Sequence, residues 1–65
     1  MKIKYFEDTD TLLIELKDGL VAESRDLDED TLLDLDDQGH VLAITLEHAT
    51  QRAELQSFSF DRVAA

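Results

Sequence analysis

The sequence contains no cysteine, proline or tryptophan, and only two glycines among its 65 residues. Without cysteine no disulfide can form, which agrees with a reducing compartment, and we expect a cytoplasmic protein. Because glycine is scarce and proline is absent, no linker divides the chain, and we expect one domain over residues 1–65. A chain this short buries only about 60% of its unfolded surface. Self-association is a common supplement for so thin a core, so a homodimer is one hypothesis.

Long hydrophobic runs are also missing. No window approaches the roughly 18 apolar residues that cross a membrane as a helix. The opening MKIKYFE has two lysines, but it lacks the apolar stretch that follows the basic residues of a signal peptide. We therefore expect no membrane association.

Basic residues are few, with 6 Lys and Arg against 16 Asp and Glu, for a net charge of −10. Proteins bind nucleic acid by neutralising phosphates with Lys and Arg, so we expect no nucleic-acid binding. The same negative field accelerates encounter with a basic protein. A competing interpretation is that the acidic composition only keeps the protein soluble, as in many small domains.

A two-residue periodicity is the main structural signal. Within residues 31–47, leucine or isoleucine recurs at alternate positions on both sides of Asp37-Gln38-Gly39. Alternation interrupted by turn residues is typical of a β-hairpin with one buried face. We expect the rest of the chain to pack around this hairpin.

Similar alternation and regularly spaced turn residues predict further strands. The predicted fold is α+β and mainly β: an antiparallel β-meander of four to five short strands with a short C-terminal helix. The predicted strands cover residues 2–6, 11–16, 21–27, 31–36 and 40–47, and the predicted helix covers residues 48–56. Strand 21–27 is partly polar on both faces, which fits either a sheet edge or a long extended crossover. Residues 57–62 follow as an extended tail or strand, with Phe58 and Phe60 either in the core or at an interface.

One acidic motif imitates the start of a calcium-binding loop. Asp34, Asp36 and Gln38 occupy alternate positions, and Gly39 follows at the sixth. Thr45 stands where the loop needs a bidentate glutamate, and the flanking segments are strands rather than helices. We interpret the motif as a turn, and we expect no metal or other cofactor.

Catalytic groups do not come together in the sequence. His40 and His48 lie at opposite ends of the last predicted strand, about 26 Å apart along an extended chain. The serines have no adjacent base, and no glycine-rich loop could hold a phosphate. We therefore predict that the protein is not an enzyme. An alternative is a small ligand- or metal-binding module whose site forms across a dimer, where His40 or His48 from two chains converge.

An ordered string of short motifs runs through most of the chain. It comprises Tyr5, Thr9-Asp10-Thr11-Leu12, Ile14-Glu15-Leu16, Val21-Ala22-Glu23-Ser24, Leu33-Asp34-Leu35-Asp36, Gly39 and Leu46-Glu47-His48-Ala49 with Gln51-Arg52. This string resembles the small prokaryotic family called domain of unknown function 2283. The resemblance implies a mainly antiparallel β domain with a C-terminal helix and no established catalytic residues. It also implies genomic companions in the manner of toxin and antitoxin pairs.

Acidity and resemblance together favour a non-enzymatic protein-interaction module that binds a basic partner protein. An antitoxin-like neutraliser is the more specific form of this hypothesis. The candidate partner-binding residues are acidic side chains of the middle of the chain: Glu23, Asp26, Asp28, Glu29, Asp34 and Asp36.

Overall fold

One antiparallel sheet carries almost all the regular structure of the chain. The computed structural model describes residues 1–64, and within them the sheet has five strands in the order β1-β2-β5-β4-β3. The strands are β1 (Lys2–Phe6), β2 (Thr11–Glu15), β3 (Glu23–Asp28), β4 (Thr31–Leu35) and β5 (Val41–Glu47). The prediction of a mainly β, antiparallel fold is confirmed.

The strand order differs from a simple meander. Strands β3, β4 and β5 are consecutive neighbours, but β2 pairs with β5, and β3 lies at the far edge of the sheet. The link between β2 and β3 must therefore cross from the middle of the sheet to that edge. Gly19 lies on this link, and a Cβ atom there would stand only 3.0 Å from Leu42 Cδ2. A larger residue at Gly19 would press on the buried Leu42 side chain.

The hairpin formed by β4 and β5 agrees with its prediction. Leu33 lies opposite Ile44, so both side chains share one face of the sheet. Gly39 adopts a φ of 83°, a left-handed conformation that suits glycine, and the Asp36 N–H donates to the His40 carbonyl at 2.9 Å. The local pattern of side chains and turn residues was thus sufficient to predict this element.

The core is thin because, within residues 1–64, no second layer covers the sheet. The buried apolar residues are Leu12, Leu35, Leu42, Ala43 and Ala49. Among the described residues no large side chain is completely buried. Globular domains ordinarily bury a sheet face against another layer, so this sheet retains apolar area that is only partly covered.

The edge prediction for the third strand is confirmed, with shifted bounds. The predicted strand 21–27 forms as Glu23–Asp28, and all of its residues are exposed. An irregularity between Asp26 and Asp28 shifts its register against β4. The other strands lie within one residue of their predicted ends.

The predicted helix over residues 48–56 is wrong. A single 3₁₀ turn, η1 (Ala49–Gln51), forms there, preceded by His48 in the left-handed conformation with φ 54°. The side chains of Thr50 and Arg52 bind distant turns, and these tertiary bonds outweigh the modest helix propensity of a short segment. Of the alternatives for residues 57–62, no strand forms. Phe58 and Phe60 are 70% and 71% exposed, so they do not lie in the core of this chain.

Candidate functional site

The six predicted partner-binding acids all lie on the β3–β4 half of the sheet. Three of them belong to the edge strand β3, and Glu29 lies in the turn that follows it. Asp34 is on β4 and Asp36 is in the turn after it. The fold therefore places all six acidic residues on one half of the sheet, although they do not all have the same role.

Two of the acids are engaged by neighbouring side chains. Glu23 accepts hydrogen bonds from the Arg25 guanidinium at 3.1 to 3.2 Å, on an exposed part of β3. Asp34 accepts a hydrogen bond from the Ser24 hydroxyl at 2.7 Å across the β3–β4 pair. These bonds orient one carboxylate on the edge strand β3 and one on its neighbour β4.

Two further acids hold turns. The Asp30 N–H donates to Asp28 Oδ1 at 2.8 Å, and this bond is the main cause that lowers the pKa of Asp28. Asp36 Oδ1 accepts the N–H groups of His40 at 2.8 Å and Gln38 at 2.9 Å, and the bond from His40 is the main cause that lowers its pKa. Asp36 thus makes the local turn interaction expected of aspartate rather than serving as a calcium ligand.

Asp26 and Glu29 are the two candidates whose carboxylates make no hydrogen bond or ion pair within residues 1–64. Both residues are exposed. A partner could contact them without breaking a bond within the chain. They are the best placed of the six to bind a cationic side chain.

A polar cluster that sequence reasoning missed joins η1 to the turn between β1 and β2. Asp10 Oδ1 accepts the Tyr5 hydroxyl at 2.7 Å and the Thr50 N–H at 3.1 Å, while Oδ2 accepts the Thr50 hydroxyl at 2.8 Å. The bond from Tyr5 is the main cause that lowers the pKa of Asp10, and the same bond raises the pKa of Tyr5. Asp10 and Thr50 are 40 positions apart, so no local pattern could reveal the contact.

Arg52 makes the corresponding connection to the turn between β3 and β4. Its guanidinium donates to the Asp30 carbonyl at 2.6 Å and to the Thr31 hydroxyl at 2.6 Å, and it lies 3.7 Å from Asp28. We call Tyr5, Asp10, Thr50 and Arg52 the turn clamp, because η1 binds the turns on both sides of the sheet through them.

The two histidines each lie beside one carboxylate. His40 Nδ1 is 3.3 Å from Asp36 Oδ2, and His48 Nε2 is 3.6 Å from Asp30 Oδ1, at opposite ends of β5. Across residues 1–64, no three His, Cys, Asp or Glu side chains are grouped so that they could hold a metal ion. A site formed across a dimer would need groups from a second copy, and that hypothesis stays a prediction.

These features define a small β domain made of one antiparallel sheet, with an exposed acidic edge and a turn clamp. The chain belongs to the family described as "Protein of unknown function (DUF2283)", whose sequence profile matches residues 2–49. The match covers all five strands and Asp10 but ends before Thr50 and Arg52. The resemblance noted in the sequence is thereby confirmed.

Two other comparisons found no similar protein. Neither the curated proteins nor the solved structures include a match to this chain.

A search for membrane-spanning helices was also negative. Within residues 1–64, no helix has the length and apolar character needed to span a bilayer.

Proposed function

We propose that this protein is a non-enzymatic protein-interaction module that binds a basic partner protein along β3. The observation that supports the proposal is the character of this strand. It is a six-residue edge strand in which every residue is exposed and three are Asp or Glu. A strand this acidic and this open is suited to a cationic binding partner.

The edge of β3 offers two kinds of contact. An edge strand presents unpaired backbone N–H and C=O groups, to which an extended segment of another protein can add as a further strand. Lysine or arginine side chains on that segment would meet Asp26 and Glu29. The backbone bonds would supply affinity, whereas the charges would set the rate and selectivity of association.

The other four acids support this surface. Arg25 orients Glu23, Ser24 orients Asp34, and the turns held by Asp28 and Asp36 define the two ends of the β3–β4 pair. An antitoxin-like role is the specific form of the proposal, in which the acidic edge covers a basic surface of a toxic protein. The net charge of −10 favours rapid encounter with such a surface.

The proposal is tested by co-purification of the tagged chain with the product of the adjacent open reading frame. We expect a complex whose dissociation constant rises as salt increases from about 0.05 M to about 0.5 M, because salt screens exposed charges. Absence of any complex would count against the interaction role. A tight complex with the same affinity at both salt concentrations would show that electrostatic attraction does not contribute to binding.

A charge-reversal pair locates the surface. The double variant D26K/E29K should weaken the complex by about tenfold or more, since each reversal places a repulsive charge against the basic partner. The matched control E7K/D61K changes the net charge by the same amount at exposed positions outside β3 and its turns. Equal losses in the two double variants would mean that only overall charge matters and that β3 is not the binding edge.

A further inference from the structure

An apolar groove lies at the opposite side of the molecule from β3. Met1, Ile3, Phe58 and Phe60 line a space of about 530 Å³ between the edge strand β1 and the C-terminal segment. Three of these side chains are mostly exposed, at 76% for Met1, 70% for Phe58 and 71% for Phe60. A second hollow, lined by Tyr5, Leu12, Leu55 and other residues, shares Ile3 and Phe58 with the first. The C-terminal segment therefore leaves a continuous apolar surface open.

Hydrogen bonds do little to hold this segment in place. Within residues 54–64 of the described chain, the one hydrogen bond formed is from the Gln56 N–H to Glu54 Oε1 at 3.0 Å, inside the segment itself. Leu55 is half-buried, and it lines the second hollow together with Phe58 and with Ile3 and Tyr5 of β1. The same side chains can pack against another apolar surface without breaking bonds to the sheet.

The exposed area of the chain indicates how much surface is left to cover. The accessible surface is 5327 Å² for a mass of 7.4 kDa. A folded monomer of that mass exposes about 4,200 Å², so this chain carries an excess of roughly 1,100 Å². A stable interface buries about 800 Å² on each partner. The excess is thus large enough to form one side of a dimer interface.

The distribution of charge selects the partner. A chain with a net charge of −10 repels a second copy wherever its acids are displayed. The four side chains that line the groove are uncharged, and β1 carries Lys2 and Lys4 with no acidic residue. Two copies therefore meet with the least repulsion here, whereas a basic partner is drawn to the acidic β3 edge.

We propose that a second copy of the chain covers this groove, giving a symmetric dimer in which Phe58 and Phe60 of each copy pack into the groove of the other. Aromatic side chains bury about 150–250 Å² each, so the two phenylalanines alone would remove on the order of 250 Å² per chain from water. The dimer supplies the second layer that the single sheet lacks. This inference does not depend on the proposed binding of a basic partner, because it uses the opposite edge.

The first test measures the mass of the untagged chain by sedimentation velocity over a range of concentrations. We expect twice the single-chain mass of 7.4 kDa, with a dissociation constant that does not rise with salt, because the interface is apolar. A single-chain mass at all concentrations up to about 0.1 mM, a level at which even weak dimers form, would overturn the proposal. Assemblies larger than two chains would also overturn it, since they would indicate an open head-to-tail contact such as β1 against the β3 of another copy.

The second test removes the two aromatic anchors. The double variant F58S/F60S should raise the dissociation constant of the dimer about 100-fold, since loss of each buried aromatic side chain costs at least tenfold. The matched control L20S/L27S also removes two exposed apolar side chains, 91% and 66% exposed, but away from the groove. A dimer that survives F58S/F60S, or is lost equally in L20S/L27S, would contradict the proposed interface. Far-ultraviolet circular dichroism checks that each variant retains the sheet.

The third test needs no variant and covers the case in which F58S/F60S fails to fold. Because only the folded chain can dimerise through this groove, the Tm of the wild-type chain rises with protein concentration. A Tm independent of concentration over about two decades would overturn the proposal. Neither result depends on D26K/E29K, so failure of the dimer and failure of the basic-partner proposal are distinguishable.

Discussion

The two edge strands of the sheet are both exposed along their whole length, but they differ in charge and in what lies beside them. Strand β1 carries two lysines and no acid, and it borders an apolar groove formed with the C-terminal segment. Strand β3 carries three acids and one arginine, and all of its residues are exposed. Both strands are open at their outer edge, yet they are suited to different partners.

The difference in charge between β1 and β3 bears on two kinds of association, which are self-association and binding of a basic protein. Charged residues on an edge strand oppose its pairing with an identical edge, so β3 of one copy avoids β3 of another. The same charges attract a basic protein. Strand β1 carries no acid and borders the apolar groove, and this groove, rather than the backbone edge of β1, is the surface that we propose for a second copy. One thin sheet can therefore have two contact surfaces that do not compete.

The turn clamp connects these two halves of the molecule. Asp10 and Thr50 hold η1 to the β1–β2 turn, while Arg52 holds the chain to the β3–β4 turn. The charged Arg52 guanidinium donates to the Asp30 carbonyl and to the buried Thr31 hydroxyl, whereas the Thr50 hydroxyl makes one exposed bond to Asp10. We therefore expect loss of the Arg52 side chain to cost more than loss of the Thr50 hydroxyl.

The largest effect is expected for Arg52→Ala. The substitution removes hydrogen bonds to the Asp30 carbonyl and the buried Thr31 hydroxyl, with the Arg52 side chain only 31% exposed. We expect a loss of about 1–2 kcal/mol in the free energy of unfolding, below the full range for charged hydrogen bonds because solvent screens the site. Urea denaturation followed by circular dichroism measures this loss.

Arg25→Ala is the matched control. Arg25 pairs with Glu23 on exposed β3, where the two side chains are 62% and 53% exposed. Exposed ion pairs stabilise little, so we expect a change below about 0.5 kcal/mol. Equal losses in the two variants would contradict the view that Arg52 joins the clamp while Arg25 acts only at the surface.

A smaller effect is expected for Thr50→Val on the other side of the clamp. Valine keeps the shape of the side chain but cannot donate the 2.8 Å hydrogen bond to Asp10. We expect a loss of about 0.5–1 kcal/mol, the range for one neutral donor. Thermal or urea unfolding measures it, with Thr9→Val, at an exposed turn position, as the control. A loss larger than that of Arg52→Ala would reverse the proposed ranking of the two sides.

The smallest effect per residue is expected from protonation of two carboxylates, Asp10 in the turn clamp and Asp28 in the turn between β3 and β4. Asp10 and Asp28 have pKa values lowered from 3.8 by hydrogen bonds that exist only in the folded chain. The folded state therefore binds fewer protons than the unfolded state as the pH falls, so this stabilisation is present above about pH 4 and is lost through the lowered folded pKa values. We expect the midpoint of urea denaturation to fall between about pH 5 and pH 2.

Single variants show how much of this loss of stability at low pH comes from Asp10 and how much from Asp28. D10N and D28N should each show a shallower fall with pH than the wild-type chain, while D8N, which removes the same charge at an exposed turn position, keeps the wild-type slope. A slope that D10N and D8N share would show that general charge repulsion, and not the clamp, governs acid stability.

The sequence was most informative where structure depends on neighbours. The alternation on both sides of Gly39 predicted the β4–β5 hairpin, and the polar character of residues 21–27 predicted an edge strand. The acids chosen by charge fell on one half of the sheet, but their individual roles were not predictable. Asp36 is committed to its own turn, whereas Asp26 remains available, and this distinction depends on atomic contacts.

The prediction of a helix was wrong because contacts between distant residues determine the backbone of this segment. Good helix formers in residues 48–56 have only a weak preference, and a short helix is costly to nucleate. The hydrogen bond from Thr50 to Asp10 joins residues 40 positions apart. The hydrogen bonds from Arg52 to Asp30 and Thr31 join residues 22 and 21 positions apart. Such bonds set the backbone of the segment, and no local pattern contains them.

Sequence alone determined the acidity, the positions of the strands and the central hairpin, because charge and side-chain alternation are local properties. Tertiary structure decided the strand order, the turn clamp, and the groove that Phe58 and Phe60 share with β1. These features depend on which distant segments meet. Which segments meet depends on how the whole chain buries its limited apolar surface and pairs its polar groups. No stretch of neighbouring residues contains that information.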